Sequence, residues 1–190
     1  MAAGPSRGDR PGPVLPSEVR IERFRENADV RSFDCGNREL NDFLTTDEVS
    51  RYEEARLGNT YLVYLQGAGE LLGYFTISNE SLRIEYFRGI KSFSIPGEIR
   101  VSTIPGIKVG RLAVSIRHQK RQVGTIILRY ITGLALETQA ATRILFLEAY
   151  PESIEFYQRF GFLVIEHQNL RHRRNRMMWF DLKWHPEGEE

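Results

Sequence analysis

Residues Ile144-Leu145-Phe146-Leu147 form an unbroken apolar run. A strand with one wet face alternates apolar and polar residues. A strand that does not alternate is covered on both faces, usually beside a parallel neighbour in a sheet flanked by helices. The sequence on either side supplies such layers. Thr125 to Thr138 has helical spacing, with Ile127, Ile131, Leu134 and Ala135 on one side. Pro151 suits the first turn of a second helix running to about Phe160, and Gly161 suits its C-terminal cap.

The other elements follow from period and turn chemistry. Val19 to Phe24 alternates as a short strand does. Asn37 is placed to cap a helix bearing Leu40, Phe43 and Leu44, predicted to continue to about Arg56 before Gly58-Asn59. Thr60 to Leu65 and Leu71 to Ser78 are β-rich and joined by a hairpin linker, Gln66 to Glu70. Ser81 to Gly106 reads as an irregular excursion with room for a short strand or helical turn. Ile107 to Val114, Phe162 to Glu166 and Met177 to Leu182 complete the strands. The expected order is β-α-β-β-β-α-β-α-β-β, an α/β chain of the α+β type with a mixed central sheet flanked by helices.

At 190 residues one domain is expected, over 18–184, with a disordered tail at 1–17 and a short tail at 185–190. The N-terminus is rich in Gly and Pro and lacks an apolar signal core, and no segment is apolar for long enough to span a bilayer. Cys35 is the single cysteine, which excludes an intrachain disulfide and suits a reducing, cytoplasmic setting. The four histidines have no zinc-like spacing, so no metal is expected. A formal net charge of +1 leaves nucleic-acid binding to local patches.

Two segments carry chemistry. The first is strand, basic loop, helix: Val109 to Val114, then Arg117-His118-Gln119-Lys120-Arg121-Gln122-Val123-Gly124, then the helix from Thr125. A helix N-terminus presents unpaired N–H groups and partial positive charge, and Arg117, Lys120 and Arg121 add cations around it. A pyrophosphate-bearing cofactor fits that arrangement, and a solvated basic loop fits it as well. The second segment leads from Ile144 to Ala149 into Tyr150-Pro151-Glu152-Ser153-Ile154-Glu155-Phe156-Tyr157-Gln158-Arg159-Phe160-Gly161-Phe162. Tyr157 reads either as a packed aromatic or as a phenol placed in a cleft.

Together these segments resemble the GNAT acetyltransferase superfamily. Gln119 to Gly124 matches its Q/R-x-x-G-x-G/A cofactor motif at Gln119 and Gly124, between a similar strand, Gly110 to Val114, and a similar late helix. Phe33-Asp34-Cys35-Gly36-Asn37, followed by Leu40 and Phe43-Leu44, further resembles the subgroup that includes toxins acetylating aminoacyl-tRNA. The resemblance spans roughly Val19 to Leu182. It implies a GNAT fold and acetyl transfer from acetyl-CoA to a primary amine by direct attack. It also implies a cofactor site at Leu112, Ala113, Val114, Gln119, Lys120, Arg121, Gln122, Val123, Gly124 and Thr125. Leu112 to Val114 would offer backbone donors, and Tyr157 would act as general acid to the leaving thiolate. Implied partners are acetyl-CoA, an amine acceptor extending to the α-amine of an aminoacyl-tRNA, an antitoxin protein and a second copy of the chain. Arg171, Arg173 and Arg174 would then meet the tRNA.

Three positions depart from the family pattern. Gln122 stands where the first loop glycine is usual, Lys120 where many members have another, and Tyr150 where many have asparagine. The Gln122 side chain would either crowd a pyrophosphate or donate a hydrogen bond to it. Glu80 and Glu148 are candidate bases, though each also reads as a strand-end charge. Cys35 reads as a small packed residue. A small-molecule or protein amine acceptor, a non-enzymatic CoA-sensing or partner-binding module, and an RNA-binding protein built on the basic loop remain as alternatives.

Overall fold

The computed structural model describes residues 12–170 and 173–183. The strands are β1 (Val19–Arg23), β2 (Asn59–Leu65), β3 (Leu71–Arg83), β4 (Thr103–Val114), β5 (Ile144–Ala149), β6 (Leu163–Val164) and β7 (Arg176–Asp181). They form one seven-stranded sheet in the order β1-β2-β3-β4-β5-β7-β6. The β4–β5 pair is parallel and every other neighbouring pair is antiparallel. The helices are α1 (Arg38–Thr45), α2 (Glu48–Glu54), α3 (Val123–Glu137) and α4 (Ile154–Phe160).

The unbroken apolar run is covered on both sides, as its composition requires. Leu145 and Leu147 join the core beneath α3 and α4, with Ile127, Ile131, Tyr157 and Phe162. Ile144 and Phe146 face the other way, into a cluster around Trp179. On that second face, Phe87 and Phe93 stand edge-on to Trp179 at centroid distances of 5.0 and 5.3 Å. These two rings come from the stretch read as an irregular excursion. β3 continues to Arg83 and β4 starts at Thr103, so the excursion narrows to residues 84–102, opening with a 3-10 turn at Ile84–Phe87. Further along the same face, α1 and α2 close over Tyr74, Leu62 and Ala113.

The single helix expected from Asn37 to Arg56 is two helices. The Asn37 side chain accepts from the Leu40 N–H and starts α1 as expected. Thr46 then turns extended. Its hydroxyl donates to the Asp42 carbonyl at 2.8 Å and accepts from the Glu48 N–H at 3.2 Å, closing one helix and capping the next. At the other boundary, the expected tail through residue 17 meets ordered chain from Gly12 onward. Val14 is 2% exposed within the main core, and Pro16–Glu18 forms a 3-10 turn. The remainder of that tail and the expected tail at 185–190 lie outside the described residues.

The sheet opens between its two parallel strands. β4 and β5 pair only at Gly106↔Ile144, Ile107↔Leu145 and Lys108↔Phe146. Beyond that, β5 stays with β7 up to Ala149↔Arg176. β4 stays with β3, where Thr76 faces Arg111 and Ile77 faces Val109, so Gly110 is the extra residue of a bulge. A bulge bends its strand, and here it turns β4 away from β5. At the foot of the opening the strands press together: a Cβ on Gly106 would lie 2.7 Å from the Ile144 carbonyl oxygen. Gly106→Val is therefore expected to cost about 1–3 kcal/mol through overpacking, read as a lower denaturation midpoint in guanidinium.

Candidate active site

The gap between the diverging strands is a cleft of about 1380 Å³, larger than the ~300–1,000 Å³ of ordinary small-molecule sites. It has two arms. One runs along β4 to the junction of the basic loop with α3, past Leu112, Ala113, Val114 and Tyr157. The other lies on the sheet face shared with α1 and α2, where Ser78, Glu80, Lys108, Arg111 and Glu148 form its floor. The backbone edge of β4 from Val109 to Val114 has no strand partner on the β5 side. Unpaired peptide groups lining a cleft are obligatory hydrogen-bonding groups awaiting a guest.

The loop is tied down from several directions. The Ser115 carbonyl accepts from the N–H groups of His118 and Gln119 at 2.8 and 3.0 Å. The Gln119 amide donates to the carbonyls of Cys35 at 2.8 Å and Val114 at 3.1 Å. Gln119 thus serves the loop's shape, because its side chain and its N–H are both engaged within the protein. Lys120 and Gln122 are exposed on the cleft with left-handed backbone, φ 62° and 67°. Gln122 sits where the resemblance places a glycine, and it adopts a conformation in which glycine is the unstrained residue. α3 consequently starts at Val123, two residues before the start read from its periodicity. Gly124, in its first turn, is kept small by packing: an added Cβ would lie 2.9 Å from the Phe156 ring. Thr125 completes that turn on the cleft wall.

Arg121 is placed differently from the expectation. Its guanidinium donates to the Gly12 carbonyl and to His118 Nδ1, each at 2.9 Å, and it does not line the cleft. The N-terminal segment is held against it at a second point, where the Val14 N–H donates to the Arg121 carbonyl at 3.0 Å. Of the expected loop cations, Lys120 remains on the cleft.

Tyr157 reaches the cleft from α4 with its ring packed on Phe156 and Phe162. Burial pushes its hydroxyl well above the ordinary phenol range. That holds it as a neutral O–H donor, and it has no hydrogen-bond partner among the described residues. Cys35 also lines the cleft, where burial raises its thiol and disfavours the thiolate a nucleophile needs.

In the second arm, Glu80 pairs with Lys108 at 3.5 Å and Glu148 pairs with Arg173 at 3.5 Å. The Arg173 contact brings the basic stretch to the cleft edge. Arg174, the next residue, is exposed, and Arg171 lies outside the described residues. Sequence reasoning missed three features of this arm. Arg111 lies 3.7 Å over the Phe43 ring and pairs with Glu48 at 3.2 Å, tying β4 to both N-terminal helices. The Tyr150 hydroxyl donates to Glu39 at 2.9 Å; burial and this carboxylate both raise its phenol. Asn175 Oδ1 is buried in the cleft wall without a partner among the described residues. Only Tyr150 had a signal in the sequence, its departure from the family's asparagine; the others depend on contacts across the fold. Among the described residues no cluster of His, Cys, Asp and Glu able to hold a metal is present, and no helix is long and apolar enough to cross a membrane.

The acetyltransferase (GNAT) family model matches residues 30–162. No curated protein sequence matches the chain. Among solved structures, a bacterial toxin superposes with a TM-score of 0.73 at 22% identity, covering 87% of this chain and 91% of the other. AtaT complexed with acetyl-methionyl-tRNAfMet superposes with a TM-score of 0.71 at 23% identity, covering 87% and 95%. AtaTR bound with acetyl-CoA superposes with a TM-score of 0.68 at 24% identity, covering 88% and 95%.

The left-handed backbone at Gln122 generates a prediction. A non-glycine residue there costs about 1–2 kcal/mol. Gln122→Gly should recover about 1 kcal/mol and raise the midpoint of chemical denaturation, whereas the β-branched Gln122→Val should lower it.

Proposed function

The chain belongs to the GNAT acetyltransferase family, and on that premise we propose that it transfers the acetyl group of acetyl-CoA to the α-amine of an aminoacyl-tRNA by direct attack. The observation that carries this reading is the meeting of two features in one cleft: the unpaired edge of β4 and the N-terminus of α3. The first suits an extended amide-bearing arm, and the second suits a pyrophosphate. A cytoplasmic setting goes with this donor. An antitoxin and a second copy of the chain are proposed as protein partners.

The proposed roles take this geometry as their support. The N–H groups from Lys120 to Thr125 face the pyrophosphate, with the Lys120 ammonium and the Gln122 amide as side-chain donors. Gln119 holds the loop and makes no direct contact. Backbone N–H groups of Leu112 and Val114, on the edge of β4 away from β3, bind the arm and stabilise the oxyanion that develops on the thioester carbonyl, while Ala113, whose N–H is on the β3 side as that of Ser115 is, lines the wall between them. The attacking amine must be neutral. An aminoacyl ester's α-amine is less basic than a lysine side chain, so it needs less help from a base. Glu148 and Glu80 lie in the acceptor arm, and each is held by a cation. Their place in the reaction is to take up the proton released by the amine, directly or through water.

Tyr157 faces the leaving sulfur. A thiol is more acidic than a phenol whose ionisation burial disfavours, so Tyr157 first stabilises the thiolate as a neutral hydrogen-bond donor. The proton shed by the amine completes the balance. Arg173 and Arg174, with Arg171, meet the tRNA backbone at the mouth of the acceptor arm.

One observation favours a second acceptor class. Lys108, Arg111 and Arg173 are each matched by a carboxylate, and Glu39 adds a further anion. A floor of that kind suits a small cationic amine. Thiol release from acetyl-CoA, measured against charged tRNA, small amines and a peptide N-terminus, separates these readings. Rapid turnover on charged tRNA supports the proposal, and transfer confined to small amines replaces it with the second acceptor class. Acetyl-CoA binding without turnover on any amine points to a CoA-sensing module.

Tyr157→Phe should lower kcat about 10²-fold while leaving KM for acetyl-CoA near its original value. The wild-type rate should show no alkaline loss as pH passes about 10, the ordinary tyrosine range, because the raised phenol stays protonated there.

A further inference from the structure

We propose that His118 is a positioning residue for the pyrophosphate loop, acting through a relay that runs from Glu70 through its ring to Arg121 and the N-terminal segment. This inference rests on the donor reading above and adds a mechanism for how an atypical loop keeps its shape.

Lys120 and Gln122 both hold left-handed backbone without being glycine. Such a loop persists only where its surroundings over-determine it. His118 is the anchor the mechanism otherwise leaves unused. It is 5% exposed, and both ring nitrogens are engaged. Nε2 lies 2.9 Å from Glu70 Oε1 and Nδ1 lies 2.9 Å from an Arg121 guanidinium nitrogen. Arginine can only donate, so Nδ1 accepts; Nε2 then carries the proton and donates to the carboxylate. One neutral imidazole thereby links the β2–β3 turn to the loop. Arg121 passes the link on to the Gly12 carbonyl at 2.9 Å, while the Arg121 carbonyl accepts from Val14 at 3.0 Å. Val14 itself is embedded in the main core. The residues on either side of Arg121 are the two strained ones, so the relay grips the loop between them. Glu70 does not line the cleft, whereas His118, which it holds, does, so Glu70 tests the relay apart from any direct contact of the His118 ring.

The test measures acetyl-CoA affinity by titration calorimetry on the full chain, alongside S-acetylpantetheine, which keeps the thioester and lacks the pyrophosphate. His118→Ala should weaken acetyl-CoA about tenfold, the size of one lost charge-assisted hydrogen bond. Glu70→Ala, a change on an exposed turn that leaves the core intact, should weaken it by a smaller factor. Glu70→Gln, whose amide oxygen still accepts, should restore most of the loss. S-acetylpantetheine should react equally well with all of them. In a Gln122→Gly background, where glycine holds the loop shape without the anchor, adding His118→Ala should weaken acetyl-CoA by a smaller factor than it does in the unaltered chain. Unchanged acetyl-CoA affinity in both His118→Ala and Glu70→Ala overturns the proposal. So does an equal loss for S-acetylpantetheine, which marks a general effect on folding. Failure of the unaltered chain to bind acetyl-CoA at all removes the donor reading itself, a result distinct from either of these.

Discussion

The structure turns on one limit: β4 and β5 pair for three residues and then part. Parallel strands are stabilised by an even ladder of hydrogen bonds and by helices on both sides. Ending that ladder early sacrifices stability and leaves peptide groups unpaired. The cost is offset by the antiparallel partners outside the gap, since β4 keeps β3 along its full length and β5 keeps β7. The opening is therefore walled on each side by a strand that stays paired. α3 starts at its rim, α4 brings Tyr157 to it, and α1 and α2 shape the far arm. Each placement depends on the strands diverging where the Gly110 bulge bends β4.

The loop at the rim solves a local problem in an uncommon way. A turn from strand to helix that exposes its N–H groups to a phosphate needs left-handed backbone, and glycine provides it without strain. This chain uses Lys120 and Gln122, and so carries side-chain donors on the cleft where glycine would carry none. It then needs ties from outside the loop to hold the shape: the Gln119 amide, the His118 ring and the N-terminal segment ending at Val14. Arg121, read in the sequence as one more phosphate cation, belongs to those ties. Side-chain chemistry of the same kind serves two purposes three residues apart, and only the direction of each side chain separates them.

How much was legible in the sequence varied with how local the cause was. The Asn37 cap, the closing Gly161 at φ 110°, the buried run of β5 and the succession of elements along the chain were all legible, because each is set by neighbours within a few residues. The break at Thr46 was hidden, since a threonine inside a polar helical stretch gives no periodic signal. The length of β3 and β4 was hidden too: the chain from Ser81 to Gly106 is punctuated by Pro and Gly, and its strand ends are held by each other. In the cleft, the loop motif, Tyr157 and the β4 backbone were legible as a resemblance in linear order. Arg111 over Phe43, Tyr150 on Glu39 and His118 on Glu70 were not, because the partners stand between 48 and 111 residues apart.

The sequence by itself determined the layered α/β architecture, the family resemblance and the place of the basic loop at the start of α3, because hydrophobic period and turn chemistry act over a single turn or strand. Only the tertiary structure decided which residues line the cleft. It turned Arg121 from the cleft to the N-terminal segment, left Lys120 and Gln122 exposed in left-handed backbone, and brought Glu148, Arg173 and Asn175 to one mouth. The physical reason is that a side chain's direction is set by the partners that satisfy its hydrogen bonds and charge, and here those partners come from distant parts of the chain.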